Sequence, residues 1–444
     1  MTSYDIEKTP IVDLVNTIIV TGVRSRASDI HFDPIEQGLR IRMRVDGDLR
    51  DHAIIPKSAE RNLITRVKLI SGMNITENRL PQDGAITGKI DGLDLDMRVS
   101  VLPTNLGEKA VIRILDYTMS LEGVKNLDFS EKNLEKVEKM LTVPNGIILV
   151  TGATGSGKST TTYSMLQELN KEERNIITVE DPIEMNIEGI NQVQVNPDIN
   201  LTFANILRSI LRQDPNIILI GEIRDSETAQ IAVRASITGH LVLSTIHTNN
   251  SLSTIERLLD MDVERYLLSS ALEGIISQKL ARRLCPHCKK LRPTTPFEKD
   301  TFKKALNLDV NEIYDADGCP ECTGGYRGRI AIQEVLLVDQ VLRDKLADDK
   351  LKRENLREMV YGEDNVTTLL QDGLQKVIKG DTTFEEIYKL VEIEDVLDME
   401  IAEEKVGTLN IDNGDTPIPN PTPTPISQPQ NPTPIPQPTP ISIL

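Results

Sequence analysis

Long apolar runs are missing from this chain. No stretch approaches the roughly 18 consecutive apolar residues that a membrane-spanning helix needs. The first residues, MTSYDIEKTP, lack the basic segment and apolar core of a secretory signal, so we expect a cytoplasmic protein. Basic residues are few relative to acidic ones, and the net charge of −18 argues against a general nucleic-acid binder, which needs a basic surface.

Cysteine is also scarce, and the few residues present form two C-x-x-C pairs. The four are Cys285, Cys288, Cys319 and Cys322. In a cytosolic chain this pattern favours a metal site over disulfides, and four thiolates suit a closed, structural zinc site. The segment between the pairs exceeds the common spacing of about 15–20 residues, so we expect a small zinc-binding insertion at about 285–322. The alternative is four unliganded thiols; we do not expect His287 to be a ligand.

Strands that carry arginines on one face characterise residues 1–115. In LRIRMRVDGDLR, apolar residues alternate with basic ones along a predicted strand, and this strand ends in a tight Asp-Gly turn. LDMRVSVL carries Arg98 and KAVIRILD carries Arg113 in the same way. A helix is predicted over 10–26, with Val12, Val15 and Ile19 on one face. We interpret this part as an N-terminal α/β domain, in which the arginines of the first strand form surface ion pairs: Arg40, Arg42 and Arg44.

Helices alternate with short apolar strands after a linker at 116–130. The strands are GIILVTG, NIITVE, NIILIGE and HLVLSTIH. Apolar runs of this length between helices predict buried parallel strands, with nucleotide chemistry at their carboxyl ends. We assign residues 131–405 to this α/β domain, with a helical, charged part at about 336–405. Residues 406–444 form a Pro-rich tail that we expect to be extended and disordered, although it could serve as a tether.

A phosphate-binding loop is the most specific motif. The segment GIILVTGATGSGKSTTT contains G-x-x-x-x-G-K-[ST] between an apolar strand and a helical pattern. Glycines let the backbone aim N–H groups at phosphates, Lys158 reaches the β- and γ-phosphates, and the Ser159 hydroxyl binds Mg²⁺. The alternative is a glycine-rich turn that binds nothing. We predict that ATP and Mg²⁺ are bound by Gly152, Ala153, Thr154, Gly155, Ser156, Gly157, Lys158, Ser159 and Thr160.

Acidic residues follow two other apolar strands. Glu222 ends NIILIGE, where a carboxylate can polarise the attacking water, although Gly221 occupies the usual position of a Mg²⁺-binding aspartate. TVEDPIE supplies Glu180, Asp181 and Glu184. The alternative is that these are solvated residues at strand ends. Two carboxylates on neighbouring buried strands favour an ATP hydrolase, with Glu222 and Glu180 in the site.

Four ordered motifs resemble the secretion ATPase superfamily, which drives type II secretion and type IV pilus assembly. They are TGATGSGKSTT, VEDPIE, LRQDPNIILIGEIRDSETA and TGHLVLSTIHTNN. The resemblance implies a RecA-like P-loop ATPase domain in a homohexamer that moves a polytopic inner-membrane platform protein, so that membrane contact is indirect and peripheral. Asn216 stands where the family usually has aspartate, and we expect little effect on catalysis.

The resemblance also implies roles for individual residues. Glu222 matches the catalytic glutamate, and Glu180 belongs to an acidic segment of the family. The family's arginines that reach the γ-phosphate match Arg98 and Arg113, and a further family pair matches Arg208 and Arg212. The alternative for the arginines is surface ion pairing.

Two histidines bracket the strand HLVLSTIH, which resembles the family's histidine box. We expect His240 nearer to the phosphate and His247 in a relay toward the domain interface. Without the resemblance, each histidine would be interpreted as structural.

The cysteine pairs bear on the direction of the motor. Assembly and secretion members of the family commonly carry such pairs, and retraction motors commonly lack them. We therefore predict an extension motor. The alternatives are a retraction ATPase and a nucleotide-gated scaffold without turnover.

Overall fold

The computed structural model describes residues 9–115, 123–348, 350, 353–362 and 366–391. Residues 116–122 of the predicted linker and the whole Pro-rich tail lie outside these residues. The first described segment contains, in chain order, α1 (Ile11–Arg24), β1 (Ala27–Ile35), β2 (Gly38–Val45), β3 (Asp48–Pro56), α2 (Lys57–Ile70), β4 (Gln82–Ile90), β5 (Leu93–Thr104) and β6 (Gly107–Leu115).

The six strands form one antiparallel sheet in the order β3-β2-β1-β6-β5-β4. Helices α1 and α2 join its apolar face in one core. On α1, Leu14, Val15, Ile18 and Ile19 are buried, whereas Val12 is 43% exposed, so the prediction that Val12 shares the buried face is wrong. The buried stripe consists of Leu14, Val15, Ile18 and Ile19, which are spaced for one side of a helix, and Val12 lies in the first turn, before this stripe begins.

The polar face of this sheet carries the alternating arginines. The guanidinium of Arg40 donates to Asp51 at 2.7 Å, and that of Arg42 donates to Asp33 at 2.6 Å. Arg44 lies 3.6 Å from Asp29. The prediction that these three arginines form ion pairs is therefore confirmed.

The remaining described segments begin with a short 3₁₀ turn (Val124–Asn126), and a second such turn lies at Pro197–Ile199. Their helices and strands are α3 (Glu131–Thr142), β7 (Gly146–Thr151), α4 (Lys158–Leu169), β8 (Ile176–Glu180), β9 (Asn191–Gln194), α5 (Phe203–Ile210), β10 (Ile217–Ile220), α6 (Ser226–Ile237), β11 (Leu241–Ile246), α7 (Ser251–Asp260), α8 (Arg265–Ala271), β12 (Leu272–Leu284), β13 (Lys290–Pro293), α9 (Pro296–Leu306), β14 (Glu312–Asp315), β15 (Tyr326–Leu337), α10 (Gln340–Ala347), α11 (Arg353–Tyr361), α12 (Leu369–Lys379) and α13 (Phe384–Leu390).

Seven of these strands form a mixed sheet in the order β15-β12-β7-β11-β10-β8-β9. Every neighbouring pair is parallel except β12 and β15. The four predicted strands β7, β8, β10 and β11 are buried along their whole length, as expected for strands covered on both faces. Since their carboxyl ends meet at one edge, the segments that follow them converge there.

Two further features complete this part of the fold. Strands β13 and β14 form an antiparallel pair, and with the helix α9 that connects them they form the insertion predicted between the cysteine pairs. The helices α10–α13 confirm the helical C-terminal part. Among the described residues, no helix has both the length and the apolar character that crossing a membrane requires.

The β2–β3 turn of the antiparallel sheet contacts β12 and the start of β15. Arg282 on β12 donates to Asp48 at 3.0 Å, and Asp46 accepts from the Gly328 amide at 3.2 Å. Arg282 also pairs with Glu386 on α13 and lies over the Tyr326 ring, 4.1 Å from its centroid. One guanidinium thus joins the N-terminal sheet, β15 and the last described helix.

Candidate active site and metal centre

The phosphate-binding loop lies between the carboxyl end of β7 and the start of α4. Gly152 and Gly157 both have positive φ, at 148° and 89°. A Cβ on Gly152 would lie 2.4 Å from the Gln278 carbonyl oxygen and 2.5 Å from the Ser156 hydroxyl oxygen. The loop therefore needs glycine here both for its conformation and for its close approach to β12.

Lys158 and Ser159 lie at the junction of the loop and α4. The Lys158 ammonium donates to the carbonyls of Gly152 (2.8 Å) and Ala153 (3.0 Å), which keeps it folded over the loop. Burial lowers the pKa of Lys158, and the nearby Glu222 carboxylate opposes that shift. Ser159 is exposed in the first turn of α4, where its hydroxyl is free to reach a metal ion. These donors fit ATP with Mg²⁺.

A buried hydroxyl marks the interior of the same loop. The Ser156 hydroxyl oxygen is inaccessible to solvent and has no hydrogen-bond partner among the described residues. A polar atom of this kind is costly to bury unless a ligand or water satisfies it. It is therefore a second observation that fits a polar ligand at the loop.

Glu222 lies just beyond β10, at the edge of the sheet that carries the phosphate-binding loop. Its carboxylate pairs with the Arg224 guanidinium and lies 3.4 Å from the His247 imidazole. Arg224 also approaches the Asp181 carboxylate at 3.6 Å. Arg224 was not predicted as a site residue; its place two residues after Glu222 was the only signal for it.

Glu180 ends β8 and is buried among neutral donors. Its carboxylate accepts hydrogen bonds from the Tyr163 hydroxyl, from the Thr178 hydroxyl at 2.6 Å and from the Gln192 amide at 3.0 Å. Burial raises the pKa of Tyr163, and Glu180 raises it further, so the phenol remains a donor. This arrangement fixes the end of β8. A catalytic role for Glu180 remains a prediction.

The two histidines lie at opposite ends of β11, and a relay role for His247 remains a prediction. His240 precedes β11 beside Gly146, at the amino end of β7, and its Nδ1 lies 2.9 Å from the Ala235 carbonyl oxygen. His247 follows β11 and contacts Glu222. The expectation that His240 lies nearer to the phosphate is wrong. Because β11 runs parallel to β7, His247 after β11 lies at the same end of the sheet as the phosphate-binding loop after β7, and His240 lies at the opposite end.

This order predicts different effects for the two histidines. His247→Ala should lower ATP hydrolysis by about threefold to tenfold, because it removes a polar neighbour of a carboxylate. His240→Ala should leave the rate within about twofold of the wild type. Steady-state phosphate release from both variants, purified side by side, measures the difference. A larger loss in His240→Ala than in His247→Ala would contradict the assignment.

The four predicted arginines do not meet at the phosphate-binding loop in this conformation. Arg98 on β5 donates to the Ile183 carbonyl at 2.6 Å and lies 3.5 Å from Glu184. Arg113 on β6 pairs with Asp29 at 3.0 Å. Arg98 thus already contacts the segment after β8, whereas Arg113 contacts its own sheet.

Arg208 and Arg212 lie at the C-terminal end of α5, although the helix ends at Ile210 and does not include Arg212. Arg208 pairs with Glu227, and Arg212 donates to the Arg208 carbonyl at 2.7 Å. Positive charge is favourable at this end of a helix. Phosphate-directed roles for all four arginines remain predictions.

The four cysteines form a compact cluster beside the end of β12. Three distances between sulfur atoms are 3.8 Å for Cys285–Cys319, 3.6 Å for Cys288–Cys322 and 3.6 Å for Cys319–Cys322. All four sulfur atoms lie within 4.8 Å of one another. Tetrahedral zinc with bonds of about 2.3 Å requires sulfur atoms about 3.8 Å apart, so the donor set fits zinc. His287 does not belong to this cluster.

Known proteins with similar sequences support the same chemistry. A family model described as type II/IV secretion system protein matches residues 5–389. The type II secretion system ATPase E of Vibrio cholerae is 44% identical over 389 residues, covering 86% of this chain and 75% of that protein. The type IV pilus assembly ATPase PilB of Thermus thermophilus is 43% identical over 375 residues, covering 84% of this chain and 42% of that protein.

A solved structure shows the same fold. The pilus retraction motor PilT, crystallised with bound ADP, aligns with a TM-score of 0.58 at 28% identity, covering 85% of this chain and 96% of that one. The similarity thus includes both an assembly ATPase and a retraction motor.

Proposed function

The chain belongs to the family of type II/IV secretion system proteins and is an ATP hydrolase, and we propose that it is the cytoplasmic hexameric motor of pilus assembly or pseudopilus-driven secretion. The observation that carries the proposal is that Lys158 and Glu222 follow the carboxyl ends of β7 and β10, two parallel strands of one sheet. The Glu222 carboxylate is also near enough to raise the pKa of Lys158 against the effect of burial. A motor needs turnover, and a carboxylate beside the phosphate-binding lysine is the group that makes turnover possible.

Each residue has a distinct part in the proposed hydrolysis. The loop amides and Lys158 hold the β- and γ-phosphates, and Glu222 polarises the attacking water. The Ser159 hydroxyl would hold Mg²⁺, which would supply positive charge beside the phosphoryl group. Arg98 and Arg113 add positive charge from the antiparallel sheet as it closes on the ATPase part. The contact of Arg98 with Ile183 supports this direction of closure.

Extension is favoured over retraction by the cysteine cluster, because retraction motors of the family commonly lack it. The 43% sequence identity to a type IV pilus assembly ATPase also supports extension. Retraction is the second candidate, supported by the structural similarity to PilT. The proposed partner is a polytopic inner-membrane platform protein that docks on the ring at the cytoplasmic face of the membrane.

Deletion of the gene separates the two directions of movement. An extension motor predicts loss of surface pili or of the secreted proteins, whereas a retraction motor predicts an excess of pili. Complementation with the wild type and with Glu222→Gln at equal abundance tests whether hydrolysis is required. Light scattering of the purified protein with a non-hydrolysable ATP analogue tests the ring: six copies are expected, and a stable monomer would contradict it.

A further inference from the structure

A buried glutamine on β12 lies directly behind the phosphate-binding loop. Gln278 is 2% exposed. Its amide nitrogen donates to the Ser156 carbonyl at 2.7 Å, and its amide oxygen accepts from the Thr161 hydroxyl at 2.8 Å. Ser156 belongs to the loop and Thr161 to the first turns of α4. One side chain therefore connects both halves of the phosphate-binding motif to the neighbouring strand.

The bond to Ser156 fixes the direction of the next amide. A trans peptide is planar, and its C=O and N–H point to opposite sides. Because the Ser156 carbonyl points toward Gln278, the N–H of Gly157 in the same peptide points away from β12. In phosphate-binding loops, N–H groups aimed into the loop are the phosphate ligands. The Gln278 amide thus holds one of these donors ready before the nucleotide arrives.

The packing around the loop supports this role. A Cβ on Gly157 would lie 3.0 Å from the Gln278 amide nitrogen, so the loop sits against this side chain. An alternative orientation of the Ser156 peptide would leave a buried amide without an acceptor. Such a loss costs about 1–3 kcal/mol, so the bond selects one loop conformation over others.

We propose that Gln278 is a positioning residue that preorganises the phosphate-binding loop and thereby sets the affinity of the chain for nucleotide. Preorganised donors increase affinity because less ordering is needed at binding. Gln278 acts through the Gly157 N–H and does not touch the reacting atoms. The inference rests on nucleotide binding at this loop and is independent of the direction in which the motor works.

A neighbouring glutamine provides a matched control. Gln333 on β15 is the register partner of Gln278 and is fully buried. Its amide donates to the Leu127 carbonyl at 2.8 Å and makes no bond to the loop. Methionine has nearly the size of glutamine but cannot form these bonds. Gln278→Met and Gln333→Met therefore each remove a buried amide of the same sheet, and only the Gln278 amide bonds to the loop.

The test compares nucleotide binding and turnover in the full chain. Calorimetry with Mg-ADP should give a Kd about tenfold higher for Gln278→Met than for the wild type. The KM for ATP should rise similarly, with kcat within about threefold. Gln333→Met should bind ADP within about twofold of the wild type, even if its Tm falls equally. An unchanged Kd in Gln278→Met, or equal weakening in Gln333→Met, would overturn the proposal.

A milder pair of variants covers the case in which Gln278→Met does not fold. Thr161→Val removes the hydroxyl that orients Gln278, and Thr161→Ser keeps it. We expect Thr161→Val to weaken Mg-ADP binding about threefold and Thr161→Ser to restore it. Equal affinities in the two variants would overturn the proposal. If the wild type bound no ADP, the assignment of the nucleotide site itself would be wrong. This outcome can be told apart from an unchanged Kd in Gln278→Met and from equal affinities in the two Thr161 variants.

Discussion

Replacing Glu222 by glutamine is expected to lower kcat for ATP hydrolysis by about two to four orders of magnitude, the usual contribution of a general base. Glutamine keeps the size of the side chain but loses the charge that polarises water. The Lys158 ammonium and the loop amides are untouched, so ADP binding should stay within a fewfold of the wild type. Phosphate release at saturating ATP and calorimetric ADP binding measure the two effects separately.

Two checks make this result interpretable. Glu172→Gln changes an exposed carboxylate in the turn before β8 and should leave kcat unchanged. Glu222→Gln also removes the ion pair between Glu222 and Arg224. The Arg224 guanidinium still has the Asp181 carboxylate as a partner, at 3.6 Å. Because an ion pair is lost, the thermal unfolding of the variant and the wild type should be compared as well. Equal near-zero rates in the wild type and in Glu222→Gln would instead favour a nucleotide-gated scaffold without turnover.

The fold of the ATPase part could be predicted from local sequence signals. Each of the strands β7, β8, β10 and β11 is a short apolar run between helical patterns, and burial on both faces requires such a run. The phosphate-binding loop and the cysteine pairs are likewise local, because the motif fixes both residue types and spacing. The zinc insertion followed from the unusual length between the pairs.

The residues that were missed or misplaced depend on contacts between distant parts of the chain. Gln278 has no motif, and it meets Ser156 across 122 positions of sequence. The positions of the two histidines, unlike that of Gln278, follow from the direction of the strands. His247 follows its strand as the phosphate-binding loop follows β7, and parallel strands place such residues at the same edge. His240 precedes the same strand and therefore lies at the opposite end of the sheet.

Removal of one zinc ligand is the second change expected to have a large effect. Cys288→Ser should lower the zinc content from about one ion per chain to near zero, since structural sites need all four ligands. The insertion itself contains one antiparallel strand pair and the helix between its strands, with Phe302 and Ile313 among its buried apolar residues. A unit of this size cannot bury enough apolar surface to hold its fold alone.

The loss of zinc should therefore unfold the insertion and loosen the adjoining end of β12. We expect the Tm of the full chain to fall by about 10 °C, which corresponds to a few kcal/mol. Arg282, three residues before Cys285, pairs with Asp48 and Glu386. Limited proteolysis of Cys288→Ser should consequently cut the insertion first. The loosened end of β12 should also weaken the contact between Arg282 and the N-terminal sheet.

His287→Ala is the matched control, because His287 lies between two ligands but outside the sulfur cluster. It should retain about one zinc ion per chain and a Tm close to that of the wild type. Zinc is measured by mass spectrometry on protein purified without chelator. A wild-type protein without zinc would contradict the metal site. Equal zinc loss in His287→Ala and Cys288→Ser would contradict the four-cysteine ligand set, because the imidazole would then have to coordinate the ion.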